Sequence, residues 1–397
     1  MTSTPTSKDN WRLSTRLVRG GLERTGFSET SEALFLNSGY VYGSAEEAEE
    51  SFDGTRERYV YSRFRNPTVS VFEDRLARIE GAEACRATAS GMAAVSAAIL
   101  CQVEAGDRVV ASRALFGSCL WIVSDLLKRY GVSVTLVDGT DAAAWEQALS
   151  RPVRCVFIET PSNPTLEIID IARVAELTHA AGGLLIVDNV FATPLLQKPL
   201  ELGADVVVYS ATKYIDGQGR CLGGAVLGTH AFINDVFGPF HRHTGPCLSP
   251  FNAWVLLKGL ETLELRVTRH VENAARIAAF LEGHPAIERV LYPTLPSHPD
   301  YDLARRQMAG GGAVVAFSPK GGKERAYRFL NALRLIDISN NLGDAKSLIT
   351  HPWTTTHQSR TPEEKQAMGI TEAGLRFSVG LEDVQDLIED LDAALSA

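Results

Sequence analysis

Two short apolar runs constrain this chain more than any other feature. Leu184, Leu185, Ile186 and Val187 stand between Gly183 and Asp188, and Val206, Val207, Val208 and Tyr209 stand between Asp205 and Ser210. Runs this short and this uniform read as strands buried on both faces of a parallel sheet. The pattern around them alternates. Residues 108–111, 132–137 and 153–158 read as strands, and 120–129 and 174–180 as helices. Strand and helix in alternation imply an α/β fold with a mostly parallel central sheet and right-handed crossovers.

Outside this core the periodicity changes. Residues 1–66 show little of it beyond aromatic islands at Tyr40, Tyr42, Tyr59, Tyr61 and Phe64. They read as an extended arm that packs on a partner subunit or wraps its own chain. A helix begins at Thr68, with Val71, Phe72, Leu76 and Ile79 at helical spacing and Gly81 as its stop. Another opens at Ser90, Gly91 and Met92. A long helix over 253–281 joins two units. Beyond it, strands over 313–317 and 375–379 and helices over 325–333 and 383–395 make a smaller α+β domain. The expected division is 1–66 as arm, 67–260 as α/β domain and 261–397 as C-terminal domain.

The 397 residues carry 39 Lys and Arg against 48 Asp and Glu, a net charge of -9. Nucleic-acid binding needs a basic face, so no nucleic-acid partner is expected. No apolar run is long enough to cross a bilayer, and Met1 to Asn10 lack an apolar signal core. No membrane partner and a cytoplasmic location are therefore expected. Six cysteines without a C-x-x-C pair read as reduced thiols. His241 and His243 read as part of a surface loop, and no metal is expected.

Open parallel sheets bind ligands beyond the carboxyl ends of their strands. Three polar clusters stand there. Glu159 to Pro164 follow the strand at 153–158, Asp188 and Asn189 follow 184–187, and Ser210, Ala211, Thr212 and Lys213 follow 206–209. An asparagine (Asn163), an aspartate and a lysine thus converge on one rim. The set suits pyridoxal 5'-phosphate. A lysine at a strand end can form the Schiff base and shuttle protons. An aspartate at the pyridine nitrogen keeps it protonated, which makes the ring an electron sink. The hydroxyls of Ser210 and Thr212 and a helix N-terminus at Ser90, Gly91 and Met92 suit the phosphate. Alone, a strand-end aspartate is often a helix cap and a lone lysine is usually solvated. Their occurrence in the order Gly91, Asp188, Lys213 favours the cofactor.

The same segments carry a resemblance. They are Tyr61-Ser62-Arg63 with Asn66-Pro67-Thr68, Ser90-Gly91-Met92, Glu159-Thr160-Pro161-Ser162-Asn163-Pro164, Val187-Asp188-Asn189 and Ser210-Ala211-Thr212-Lys213-Tyr214. Through them the chain, from Leu17 onward, resembles the Cys/Met-metabolism family of pyridoxal-phosphate enzymes. That family includes cystathionine synthases and lyases, methionine γ-lyase and the homoserine-ester sulfhydrylases. The resemblance implies the aspartate-aminotransferase-like fold type I. It implies that Lys213 bears the cofactor, Asp188 pairs with the pyridine nitrogen, Asn163 contacts the ring hydroxyl and Phe116 stacks on the ring. Ser90, Gly91, Met92, Ser210 and Thr212 are implied to form the phosphate cup. Tyr61 and Arg63 are implied to reach the phosphate of a neighbouring subunit. A homodimer is then the minimal unit, and the family is usually a tetramer. Arg376 is implied to clamp the substrate α-carboxylate, a task its planar fork suits. Asn341 is implied to contact substrate.

Three departures narrow the choice of member. Leu115-Phe116-Gly117-Ser118 places phenylalanine where many relatives have tyrosine, which removes a phenol. The segment from Asp216 to Gly224 lacks the His-Ser-Asp element common in synthases and lyases, and resembles the form in O-succinylhomoserine sulfhydrylases. Ser339-Asn340-Asn341-Leu342-Gly343 stands where cystathionine enzymes usually show Glu-Ser-Leu-Gly. Asn340 removes an acid that could meet the distal ammonium of cysteine, and Asn341 replaces a serine that helps hold the substrate carboxylate.

The expected reaction is γ-replacement, in which O-succinylhomoserine and sulfide give homocysteine and succinate in methionine biosynthesis, with Lys213 as base. Cystathionine γ-synthase and O-acetylhomoserine sulfhydrylase are the alternatives within the family. Methionine γ-lyase is disfavoured, because Ser118 holds the place of its usual cysteine. From another class, Ser210-x-x-Lys213 matches the S-x-x-K acyl-enzyme motif. Gly217 and Gly219 come too soon for the helix which that motif needs.

Overall fold

The computed structural model describes residues 11–397, so the expectations for Met1 to Asn10 lie outside the described residues. Seven strands make the central sheet: β1 (Ala84–Thr88), β2 (Arg108–Ser112), β3 (Ser133–Val137), β4 (Cys155–Glu159), β5 (Leu184–Asp188), β6 (Val206–Ser210) and β7 (Gly224–Gly228). Their order is β1-β7-β6-β5-β4-β2-β3. The pairs from β3 to β6 are parallel, while β7 runs antiparallel to both β6 and β1.

The two apolar runs are the central strands β5 and β6. Their side chains alternate between two cores, as a doubly covered sheet requires. Leu185 and Val187 pack with Val174 and Ala175 of the helix Ile171–Ala180 on one face. Ile186, Val206 and Val208 pack with Val95 and Ile99 of the helix Gly91–Leu100 on the other.

A second sheet holds β8 (Ile287–Leu291), β9 (Val314–Pro319), β10 (Asp337–Ile338), β11 (Leu348–Thr350) and β12 (Leu375–Ser378). Its order is β10-β11-β12-β9-β8, antiparallel except between β10 and β11. The helix Val384–Ser396 lays Leu387, Leu391 and Leu395 into its core, beside Ile277 and Leu281 of the helix Leu263–Gly283.

The single long helix expected over 253–281 is two helices, Pro250–Glu261 and Leu263–Gly283, with a break at Thr262. Arg266 holds the break. Its Nη2 donates to the Gly259 carbonyl at 2.7 Å and its Nη1 to the Tyr214 carbonyl at 2.6 Å. A helix-end carbonyl therefore finds a side-chain donor in place of the next turn. The helix expected at 120–129 is continuous but contains a π-helical turn, Ile122–Leu126.

Within the described arm, two helices interrupt the extended chain, Leu13–Arg19 and Ala45–Asp53. Glu32 is buried between Arg75, at 2.5 Å, and Lys258, which anchors the arm to the body. His241 and His243 are not in a surface loop. They lie on the helix Gly238–Thr244, where His241 is buried against Phe237 and bonds the Ala87 carbonyl at 3.0 Å. Burial pushes its pKa down to about 4. Among the described residues no helix is long and apolar enough to cross a membrane.

Candidate active site

The carboxyl ends of β4, β5 and β6 open into a cavity of about 430 Å³, which residues of the second sheet and its loops close from the other side. Ser90, Gly91, Met92, Phe116, Asn163, Asp188, Ser210, Thr212, Lys213 and Arg376 all line it.

Lys213 sits in the tight turn after β6. Its N–H donates to the Ser210 carbonyl, and its own carbonyl accepts from Gly217 at 2.7 Å. Its Nζ donates to Asn341 Oδ1 at 2.7 Å. The loop carrying Asn341 comes this close because Gly343 has φ 71°, and a Cβ there would stand 2.8 Å from the Tyr214 nitrogen. Burial first, then the nearby Arg376 charge, lowers the lysine pKa to about 8. The amine is thus partly unprotonated near neutral pH.

Arg376, on β12, is only 2% exposed. Its Nη1 donates to Asn163 Oδ1 at 3.0 Å, and its Nη2 to the Asn340 carbonyl at 2.7 Å. Burial lowers its pKa to about 10, which leaves it charged. Its Nε is buried and finds no acceptor among the described residues. A buried cation with an idle donor beside a cavity suits an anionic ligand.

Asp188 closes β5 and accepts the Val190 N–H at 3.1 Å. It stands in register with Glu159 at the end of β4. Burial pushes both carboxyl groups up, and Asp188 pushes Glu159 further. Glu159 also accepts the Phe116 N–H at 2.7 Å. Glu159 opens the motif that runs to Pro164, yet its place beside Asp188 depends on the β4–β5 register, which local sequence does not reveal.

The loop after β4 is closely fixed. Gln197 Nε2 donates to the Thr160 carbonyl at 2.8 Å and to Asn189 Oδ1 at 2.9 Å. Ser162 Oγ accepts from Glu167 N–H at 3.0 Å. Leu166 is held at φ 59°, a strained backbone for a residue with a side chain. Asn163 is thereby presented to Arg376.

The helix Gly91–Leu100 points its N-terminus at the end of β6. Ser90 caps it, accepting the Ala93 N–H at 3.2 Å. A Cβ at Gly91 would lie 2.5 Å from Ser210 Cβ, so glycine alone permits the approach. Thr212 Oγ1 accepts from Gly223 N–H at 3.1 Å.

Three residues that the resemblance singles out, Asn341, Tyr61 and Arg63, are not part of this cavity's lining. The Asn341 amide oxygen is taken up by Lys213, and its backbone carbonyl accepts from Arg376 at 3.3 Å. Tyr61 and Arg63 do not line this chain's own cavity. Arg63 instead donates to the Arg242 carbonyl and lies over the Phe64 ring. Sequence reading also missed Val190, Phe191, Leu222 and Thr356 on the cavity wall.

The donor set fits pyridoxal phosphate. It offers an amine of lowered pKa for the aldehyde, a buried carboxyl group for the pyridine nitrogen, and a glycine-opened helix N-terminus with two hydroxyls for the phosphate.

Comparison with known proteins agrees. A family model described as Cys/Met metabolism PLP-dependent enzyme matches residues 14–396. O-succinylhomoserine sulfhydrylase of Mycobacterium tuberculosis is 60% identical over 383 residues, which cover 96% of this chain and 94% of that protein. The enzyme of the same name from Pseudomonas aeruginosa is 50% identical over 383 residues, covering 96% and 95%. Among solved structures, a Campylobacter jejuni protein that contains N'-pyridoxyl-lysine-5'-monophosphate is similar with a TM-score of 0.93 and 33% identity, over 98% of this chain and 100% of that one. The chain belongs to the Cys/Met metabolism family of PLP-dependent enzymes.

Proposed function

We propose that this chain replaces the γ-acyloxy group of O-succinylhomoserine by sulfide, giving homocysteine and succinate. The observation that carries this reading is the Asn340–Asn341 pair. Asn340 presents a neutral amide on the cavity wall, and Asn341 holds the lysine. No carboxylate stands on that stretch of the loop to meet the ammonium of an amino-acid nucleophile. The names of the two sulfhydrylases above lend the ester and the type of sulfur donor.

Pyridoxal phosphate, when bound, supplies an electron sink for charge developing at the substrate α-carbon. The chain's own residues do the rest. Arg376 grips the α-carboxylate and fixes the substrate's orientation. Lys213, whose amine is lowered to a pKa of about 8 in the ligand-free chain, would take the α-proton at Nζ. Asn341 steadies that nitrogen. Asp188 would hold the pyridine nitrogen, and Phe116 would pack against the ring; both line the cavity. After the β-proton is lost, the Cγ–O bond breaks and succinate leaves with the electron pair. Sulfide then forms the Cγ–S bond, and the two protons return to the α- and β-carbons. The apolar walls at Val190, Phe191 and Leu342 limit water during these steps.

The proposed assembly is a cytoplasmic homodimer, paired into a tetramer. Tyr61 and Arg63, idle toward their own cavity, would reach the phosphate of the neighbouring site. The described arm leaves Phe27, Val41 and Leu36 at 94%, 89% and 66% exposure, an apolar surface that a second subunit would cover.

Purified protein offered O-succinylhomoserine with sulfide or cysteine in parallel tests the reaction. Homocysteine from sulfide, with little cystathionine from cysteine, supports it. Efficient cystathionine formation would make the chain a γ-synthase, and a preference for the acetyl ester would make it an O-acetylhomoserine sulfhydrylase.

A further inference from the structure

Two acids line the cavity, and the chemistry above gives work only to Asp188. Glu159 closes β4, is 4% exposed and stands in register with Asp188 on β5. Neighbouring strands lie about 4.8 Å apart, and residues in register point to the same face. Two carboxyl groups therefore share one water-poor pocket, where charging both is costly.

The groups around Glu159 decide which acid keeps its proton. Asp188 faces it from β5, Arg376 from β12 and Cys119 from the helix Gly117–Trp121, with Lys213 across the cavity and His357 beside Arg376. Arg376 is the one lasting cation of the group, and it is already bonded to Asn163 and Asn340. A substrate carboxylate would engage it further. Asp188, in contrast, gains a cationic partner once a protonated pyridine nitrogen stands against it. Glu159 gains none. Its Oε2 accepts the N–H of Phe116 at 2.7 Å, which ties the end of β4 to the residue whose ring walls the cavity.

We propose that Glu159 is a positioning residue that keeps its proton: its neutral carboxyl group fixes Phe116 through the Phe116 N–H and leaves Asp188 as the single anion facing the pyridine nitrogen. Burial and the Asp188 charge, which both push this carboxyl group up, act in the same direction. The proposal rests on the cavity being the cofactor's site.

Infrared spectra of the holoenzyme test the protonation directly. A buried protonated carboxyl group gives a carbonyl band, expected in the wild type and missing in Glu159→Gln. Titration of resolved apoprotein with pyridoxal phosphate tests the positioning. Glu159→Ala removes the acceptor that holds the Phe116 N–H before the cofactor arrives, so Phe116 must be ordered on binding, and the dissociation constant should rise about tenfold. Glu159→Gln keeps a neutral acceptor and should raise it far less. Circular dichroism in the cofactor band should change in Glu159→Ala and be kept in Glu159→Gln. A carbonyl band that survives in Glu159→Gln, or an affinity loss in that variant equal to that of Glu159→Ala, overturns the proposal. If Glu159→Ala does not fold, the band and affinity of Glu159→Gln against wild type decide alone. Wild-type protein that binds no pyridoxal phosphate would instead overturn the reading of the cavity itself.

Discussion

Lys213 Nζ donates to Asn341 Oδ1 at 2.7 Å, across the seam between the lysine turn and a loop that leads into the second sheet. With a pKa of about 8, the lysine is an ammonium below that pH and a free amine above it. A free amine attacks an aldehyde and an ammonium does not. Cofactor capture by apoprotein should therefore accelerate as pH rises through about 8. Asn341→Asp would set an anion beside Nζ, favour the ammonium and move the midpoint upward. Stopped-flow absorbance over a pH series reads both. An unmoved midpoint in that variant would remove Asn341 from the lysine's electrostatics.

Arg376 donates from one planar group to Asn163 Oδ1 and to the Asn340 and Asn341 carbonyls. Lysine cannot reproduce that fork. Arg376→Lys should keep the bound-cofactor absorbance and lose about 2 kcal/mol of transition-state binding, roughly thirtyfold in kcat/KM for the ester. Steady-state kinetics beside the absorption spectrum checks this, and an unchanged kcat/KM would take the carboxylate away from Arg376.

Asn340 lines the cavity, where its Oδ1 accepts from Thr350 Oγ1 at 2.6 Å. Asn340→Glu would restore an acid there and should raise the ratio of cystathionine to homocysteine when cysteine and sulfide compete. The products, separated after a fixed time, give the ratio. No rise would mean that the nucleophile is chosen elsewhere.

If Arg63 serves the neighbouring site, two defective proteins should repair each other. Arg63→Ala and Lys213→Ala homodimers are each expected to be impaired. A mixed dimer would own one site with both native residues. Unfolding and refolding them together should restore activity above either parent. No recovery in verified mixed dimers would place Arg63 in its own subunit's chemistry or outside the site.

What could be read from sequence followed burial on both faces. β5 and β6 announce themselves because every apolar side chain on them meets a core. β1 and β7 do not. The strand Ala84–Thr88 interrupts its apolar pattern with Arg86, largely buried and paired with Glu73, and Gly224–Gly228, though buried throughout, carries glycine at both ends; a Cβ at Gly224 would stand 2.2 Å from the Ser90 carbonyl oxygen. The break at Thr262 was equally hidden, since the donor that sustains it also bonds a turn some fifty residues upstream. In the site, Lys213 and Asp188 were legible because strand ends predict where a parallel sheet binds. The attachment of Asn341 to the lysine and of Glu159 to Phe116 joins residues far apart in sequence, through register and loop approach. Local pattern carries no trace of either.

Lys213 follows β6 of the larger sheet, whereas Arg376 lies on β12 of the smaller one. If Arg376 takes the α-carboxylate and Lys213 the α-proton, as proposed, a bound amino acid would bridge two bodies like a strap. The α-carbon, bonded to that carboxylate and facing that amine, would then be the point where any tilt of one body against the other is felt. The relative pose of the sheets would set the angle between the breaking C–H bond and the waiting amine.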